Sequence, residues 1–257
     1  MDKNNGAKRL AGKMAVITGG TTGLGFATAD RFLDEGAKVM ITGAHDDRVR
    51  AAVQELARGV VGFRADVRSL IDLDMLAAAV HGAFVDGFDV LFANAGVGSF
   101  RAFDAVDERD FDNQFGINVK GLFFTIQKLL PLMRTGGSII LNASAVSEKG
   151  LPMSSVYAAT KAAVRSFARS LAAELGPKGI RVNALSPGLI PTDFLVKMGS
   201  ESMEMMTGFQ GFNTGTTPLG RVGRPDEVAE AAVFLASDQS SYVTASDLLV
   251  DGGYMSV

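Results

Sequence analysis

Met14-Ala-Val-Ile-Thr-Gly-Gly-Thr-Thr-Gly-Leu-Gly25 is the stretch on which the fold reading turns. A bare apolar run ends at Thr18, four glycines follow among Thr21, Thr22 and Leu24, of which Gly19, Gly23 and Gly25 carry the spacing, and helical spacing begins at once. An apolar run without alternation is what a strand buried on both faces of a parallel sheet requires. Glycines after such a strand let the backbone turn sharply and approach a pyrophosphate, whose charge then lies on the positive end of the next helix. In a chain with 30 Gly among 257 residues the spacing alone is weak, and its place between strand and helix carries the weight. A plain turn is the competing reading.

The same alternation continues along the chain. Strands are expected at 14–18, 38–41, 60–64, 90–93, 138–142, 181–185 and 247–250, and helices at 25–35, 47–57, 71–81, 108–133, 154–175 and 225–236. No composition break or internal repeat divides them, so residues 13–257 read as one doubly wound α/β domain after a loose polar leader at 1–12. The exception is 191–218, rich in Met and Phe, aperiodic and long for a connection. It is expected to be a lid closing over an apolar substrate, with Met206 and Phe209 in the pocket. Packing on the body or on a neighbouring subunit is the alternative.

Composition removes whole classes of function. There is no Cys, hence no disulfide, zinc–thiolate site or thiol nucleophile, and nothing requires an oxidising compartment; a cytoplasmic protein is expected. Basic residues number 25 against 28 acidic ones, with no Lys/Arg block to track a phosphate backbone, so nucleic acid is not an expected partner. Lys3, Lys8, Arg9 and Lys13 precede only a short apolar run, and no run approaches the roughly 18 residues a bilayer needs, so no signal peptide or membrane span is expected. His45 and His81 are the only histidines and neither stands at metal spacing, so no metal is expected.

Tyr157 and Lys161 stand four apart in a segment of helical character, so they share a face. An ammonium about 5 Å from a phenol at an effective dielectric of 20 favours the phenolate by roughly 3 kcal/mol, which brings a general acid/base towards working pH. An exposed polar pair is the plainer alternative. Ser144 follows Ile139-Ile-Leu-Asn-Ala at the carboxyl end of an expected strand, the edge where open α/β sheets bind ligands, although a lone Ser there is more often a turn or cap. Asn118, inside a long helical segment, carries no signal of its own.

Together these residues resemble the classical short-chain dehydrogenase/reductases over residues 13–253. The resemblance rests on the glycine stretch, Asp66-Val67, Asn94-Ala95-Gly96, Asn118, Ser144, Tyr157 with Lys161, Pro187-Gly188-Leu-Ile-Pro-Thr192 and the ending Asp251-Gly252-Gly253. Within the family the chain is similar to bacterial NADP-dependent secondary alcohol dehydrogenases and carbonyl reductases. The resemblance implies a Rossmann-like fold with a seven-stranded parallel sheet and helices on both faces. It implies a homotetramer that interconverts a secondary alcohol and a ketone. Tyr157 would protonate the carbonyl oxygen, Ser144 would orient it, Lys161 would lower the Tyr pKa and bind the nicotinamide ribose, and Asn118 would hold a relay water. Asp66 and Val67 would meet the adenine, Asn94, Ala95 and Gly96 the adenosine side, and Ile190 and Thr192 the carboxamide, beside Pro187 and Gly188. Val146 and Met153 are expected in the substrate pocket with Ser144 and Tyr157.

Cofactor choice is read after the second strand, where an acidic residue accepts from a free 2′-hydroxyl or an Arg meets a 2′-phosphate. Gly43 occupies the acidic position and Ala44 the position of the Arg, while Asp46 and Asp47 would repel a phosphate that His45 and Arg48 could meet. NAD(H) and NADP(H) both remain open, with a slight lean to NAD(H). Two other functions are carried: a dinucleotide-binding sensor without useful turnover, and a ketoacyl reductase acting on carrier-bound substrate. The latter wants a basic docking patch, where the sequence offers only scattered Arg101, Arg109 and Lys149.

Overall fold

The computed structural model describes residues 8–192, 215 and 217–257. Seven parallel strands form one sheet: β1 (Met14–Ile17), β2 (Lys38–Gly43), β3 (Val61–Arg64), β4 (Phe88–Ala93), β5 (Met133–Asn142), β6 (Arg181–Pro187) and β7 (Asp247–Val250). Their spatial order, β3-β2-β1-β4-β5-β6-β7, reverses direction between β1 and β4. A crevice opens at such a switch point beyond the carboxyl ends of the strands, where this class of sheet binds ligands.

Bare apolar strands place alternate side chains in opposite layers. Val16, Leu91 and Ile139 face one core with helices α3 (Leu70–Ala83), α5 (Leu122–Leu129) and α6 (Ser155–Leu175). Their neighbours Ile17, Phe92 and Ile140 face the other, with α1 (Gly23–Asp34), α2 (Asp46–Leu56) and the C-terminal helix α7 (Pro225–Ala236). Each such fully buried side chain contributes about 1.5 to 3 kcal/mol.

The structure departs from the sequence reading in two places, and a third expectation falls outside what it describes. Part of the expected loose leader is anchored: Leu10 is fully buried in the second core, and Arg9 pairs with Glu35 at 2.7 Å and Glu230 at 2.8 Å. The expected helix at 108–133 is divided into α4 (Glu108–Phe115), a wider π-type turn at Gly116–Gly121, and α5. Here Gly121 lies so close to Val67 that a Cβ would fall 2.7 Å from Cγ2 of that residue. Finally, most of the expected lid at 191–218, including Met206 and Phe209, lies outside the described residues. Among the described residues no helix is long and apolar enough to cross a membrane.

Candidate active site

At the end of β1 the glycine loop is locked to the end of β4. Thr18 Oγ1 accepts from the backbone N–H groups of Asn94 and Ala95 at 3.1 Å, and Asn94 Nδ2 donates to the carbonyls of Thr18 and Gly19 at 3.0 Å. Asn142, the last residue of β5, donates through Nδ2 to Asn94 Oδ1 at 2.9 Å, tying a third strand end to the same point. The fit leaves no room at Gly25, where a Cβ would lie 2.2 Å from the Gly19 carbonyl oxygen and 2.5 Å from Asn94 Nδ2. Asn94 thus spends its amide on holding the loop. The Thr18 hydroxyl and Asn142 did not stand out in the sequence, because their partners lie more than seventy and about fifty residues away.

A cleft of about 690 Å³ runs along the carboxyl edge of the sheet. Gly19, Thr21, Thr22, Gly23 and Leu24 line its floor at the β1–α1 turn. Gly43, Ala44 and His45 line one end with Asp66 and Val67, while Ala95 and Gly96 lie in the middle beside Asn94. Ser144, Val146, Tyr157 and Lys161 line the other end, with Pro187, Gly188, Ile190 and Thr192 along the β6 side. Gly25 and Asn118 stand behind this wall. Met153, expected in the pocket, is not part of the lining: it sits at φ +65° with 39% of its surface exposed, and its carbonyl accepts from Arg101 N–H at 2.9 Å. A positive-φ residue in an irregular segment before α6 is a placement that periodicity does not encode.

Four segments converge at the end of the cleft that Ser144 lines. Ser144 follows β5 and caps a short turn, with Oγ accepting from Val146 N–H at 3.4 Å. Tyr157 and Lys161 stand one turn apart on α6, and the Tyr157 and Ser144 side chains share a hydrogen bond. Lys161 is buried, donates through Nζ to the Asn142 carbonyl at 2.7 Å, and holds Nζ 5.7 Å from the Tyr157 ring centre. Asn118 is buried in the π-type turn; Nδ2 donates to the Val97 carbonyl at 2.8 Å and to Thr160 Oγ1 at 3.0 Å, while Oδ1 accepts from Val97 N–H at 2.9 Å. Thr160 Oγ1 in turn donates to the Tyr157 carbonyl at 2.7 Å, so Asn118 braces both the wall after β4 and the helix that carries Tyr157.

Burial dominates the electrostatics here. Desolvation pushes the Tyr157 hydroxyl up to about 12, with the Ser144 hydrogen bond acting in the opposite sense. It also pulls Lys161 down to about 8. The expected lowering of Tyr157 by the neighbouring ammonium is outweighed, because taking a phenolate out of water costs more than a charge beyond 5 Å returns. At neutral pH the tyrosine keeps its proton.

Phe100, Ile117, Leu151 and Tyr254 also line the cleft and were missed by sequence reading, as was Arg68. Phe100 packs on Tyr157 with ring centres 5.5 Å apart, and Lys149 Nζ lies 4.1 Å over the Tyr254 ring. At the opposite end of the cleft Arg68 grips Asp66, with NH2 donating at 2.6 Å and Nε at 3.1 Å, which holds that carboxyl below its usual range. Among the described residues no group of three or more metal-ligating side chains comes together.

A doubly wound parallel sheet with a glycine loop at its switch point and a Ser–Tyr–Lys cluster at the same edge defines an oxidoreductase of Rossmann type. The chain belongs to the short-chain dehydrogenase/reductase family, whose members use NAD(H) or NADP(H). The family profile described as enoyl-(acyl carrier protein) reductase matches residues 19–255. The oxidoreductase asL5 of Sarocladium schorii is 45% identical over 249 residues, covering 96% of this chain and 97% of that protein. A 3alpha-hydroxysteroid dehydrogenase of Mediterraneibacter gnavus is 35% identical, over 95% of this chain and 97% of its own. The crystal structure of a short-chain type dehydrogenase/reductase from Mycobacterium marinum superposes with a TM-score of 0.88 at 33% identity, over 98% of both chains.

Proposed function

We propose that this oxidoreductase interconverts a secondary alcohol and a ketone with NAD(H) or NADP(H), and that Tyr157 is its general acid/base. The observation that carries the reading is the Tyr157–Ser144 hydrogen bond at the carboxyl edge of β5, with buried Lys161 one turn beyond. The cleft fits a dinucleotide: its floor is a glycine loop opening a helix, where backbone N–H groups and the helix N-terminus favour a pyrophosphate, and added side chains would fill the cradle. Gly19 to Leu24 would hold the pyrophosphate, and Lys161, Ile190 and Thr192 the nicotinamide end. When bound, the dinucleotide supplies or accepts the hydride at the carbonyl carbon.

This chain's own residues supply the rest. Tyr157, protonated at neutral pH, donates its hydroxyl proton to the carbonyl oxygen as that oxygen gains charge. Ser144 donates to the same oxygen and fixes its position. Lys161 stabilises the resulting phenolate and would hold the ribose of the dinucleotide. Asn118 positions Tyr157 through Thr160. Val146 beside Ser144, Phe100 packed on Tyr157, and Leu151 give the cleft apolar lining, which suits a small apolar ketone.

The absence of Cys supports a cytoplasmic setting, and the family resemblance supports a homotetramer. For a carrier-bound substrate the basic residues at issue are Arg101, which stands 3.8 Å from Asp110, Lys149, which lies over the Tyr254 ring, and exposed Arg109, three scattered charges rather than a patch. The test is a panel of ketones and aldehydes offered with NADH and NADPH in parallel. Loss of nicotinamide absorbance with ketones is expected. Binding of a dinucleotide without consumption on any carbonyl would overturn the reading in favour of a sensor.

A further inference from the structure

We propose that Tyr254 is a specificity-determining residue: its hydroxyl, fixed in the cleft wall by Lys149, is the hydrogen-bonding anchor for a second oxygen on the substrate. The preferred substrate is then a ketone with an apolar body and a further hydroxyl or keto group, not a plain hydrocarbon ketone. The proposal rests on the ketone reading above and adds a chemical class to it.

The place of Tyr254 is fixed from several sides. It stands in the C-terminal turn, where the Asp251 carboxylate accepts from the backbone N–H groups of Gly253 and Met255, each at 2.9 Å. That turn packs tightly on its surroundings: a Cβ at Gly188 would lie 2.7 Å from Asp251 Cα, and one at Gly253 would lie 2.8 Å from Pro218 Cγ. Lys149, shortly after Ser144, donates through Nζ to the Tyr254 carbonyl at 3.0 Å and lies 4.1 Å over the ring. Its neighbour Glu148 pairs with Arg165 on α6, so the segment that holds Tyr254 is tied to the helix of Tyr157 and Lys161. Tyr254 is 4% exposed and lines the same cleft as Ser144, Val146, Leu151 and Tyr157.

The hydroxyl is the exception. It is shut off from bulk water, and among the described residues it has no hydrogen-bond partner. A buried hydroxyl without a partner is a cost that phenylalanine would avoid. Here the turn, the carbonyl and the ring face are all engaged, and the polar tip alone is left over in a residue of the cleft wall. A site that receives a substrate oxygen has this composition, because it discriminates by leaving its own polar group unpaired when the wrong substrate enters. The Lys149 ammonium over the ring draws electron density from the phenol and makes it the stronger donor. Val146, Leu151 and Phe100 leave the rest of this lining apolar, which fits a hydrocarbon body between the two oxygens.

The test compares kcat/KM for hydroxyketones with kcat/KM for analogues in which a methyl replaces the hydroxyl, over a range of separations from the carbonyl. It uses the wild type, Tyr254→Phe and Lys149→Met. At the best separation the wild type is expected to favour the hydroxyketone by about tenfold, the fold-change of one good hydrogen bond. Tyr254→Phe should bring that ratio to within about twofold of unity, while its urea midpoint stays at the wild-type value or rises, because the lost hydroxyl had no partner in the fold. Lys149→Met should give a ratio between the two, since the hydroxyl remains and only its ring is loosened. Three results would each overturn the proposal: no preference in the wild type at any separation, a preference that survives in Tyr254→Phe, or a clear loss of stability in Tyr254→Phe, which would assign the hydroxyl to the fold. Turnover of the methyl analogues would leave the ketone reading standing in all three cases. Turnover of no ketone would sink that reading and the proposal together.

Discussion

The two ends of the cleft are built from different materials. At the glycine loop the working surface is backbone, and the side chains that matter, Thr18, Asn94 and Asn142, hold that backbone in place. At the other end the proposed working groups are side chains, Ser144, Tyr157 and Lys161, aimed by strand ends and helix turns that Asn118 braces. A backbone site fails when anything is added to it, whereas a side-chain site fails when something is removed. The contrast fixes which substitutions break each end.

The largest effect on binding is expected from addition at the loop. Gly25→Ala forces a Cβ to within 2.2 Å of the Gly19 carbonyl oxygen, so the loop and the end of β4 must separate. Dinucleotide affinity should fall by about a hundredfold or more and stability by about 1 to 3 kcal/mol, read by titration and chemical unfolding. Gly150→Ala is the control: nothing lies within 4 Å of its Cβ position, and both quantities should stay near wild type. A Gly25→Ala protein that still binds would mean that the loop is not a backbone cradle.

Removal at the other end comes next. Lys161→Ala takes away the donor to the Asn142 carbonyl and the one ammonium buried beside Tyr157 among the described residues. Turnover should fall by about 10² or more and dinucleotide affinity by about tenfold, because one group serves both. A loss confined to either quantity would separate roles that the account joins.

The smallest effect is a pH dependence of stability. Burial pulls Lys161 from 10.5 to about 8. Below about 8 the folded and unfolded chains both hold this proton, and the cost of burying the ammonium is felt in full. Between about 8 and 10.5 the folded chain holds fewer protons, so this group makes stability rise with pH. Tyr157, raised from 10.0 to about 12, acts in the opposite sense and only above 10, where the folded chain holds more protons. Urea unfolding at about pH 7.5 and about pH 9.5 should therefore show the wild type gaining about 1 to 2 kcal/mol on Lys161→Met. A gap that does not change with pH would place the amine in water rather than in the wall.

What the sequence made legible follows the same contrast. The glycine stretch could be read because a strand, a turn and a helix N-terminus are local events, and Tyr157 with Lys161 because one helical turn joins them. The parallel strands were legible from bare apolar runs, and their alternate residues fill the two cores as expected. Asn118 was legible through the family resemblance alone, since nothing in the apolar periodicity marks the π-type turn that points its amide at Val97 and Thr160. Met153 does not line the cleft among the described residues, and a left-handed residue in an irregular segment has no period from which its placement could be read. The expected lowering of the Tyr157 pKa failed for a different reason: a Coulomb estimate at one dielectric counts the attraction of Lys161 and omits the desolvation of both groups.

The central claim is that Tyr157 gives the proton while the rest of the site holds the dinucleotide. It is tested most directly by Tyr157→Phe, with dinucleotide affinity and ketone turnover measured on the same preparation. The account predicts a rate lower by about 10² to 10⁴ with affinity within about threefold of wild type, because only a hydroxyl is removed and Lys161 stays on the Asn142 carbonyl. A variant that keeps a tenth or more of the wild-type rate would contradict it.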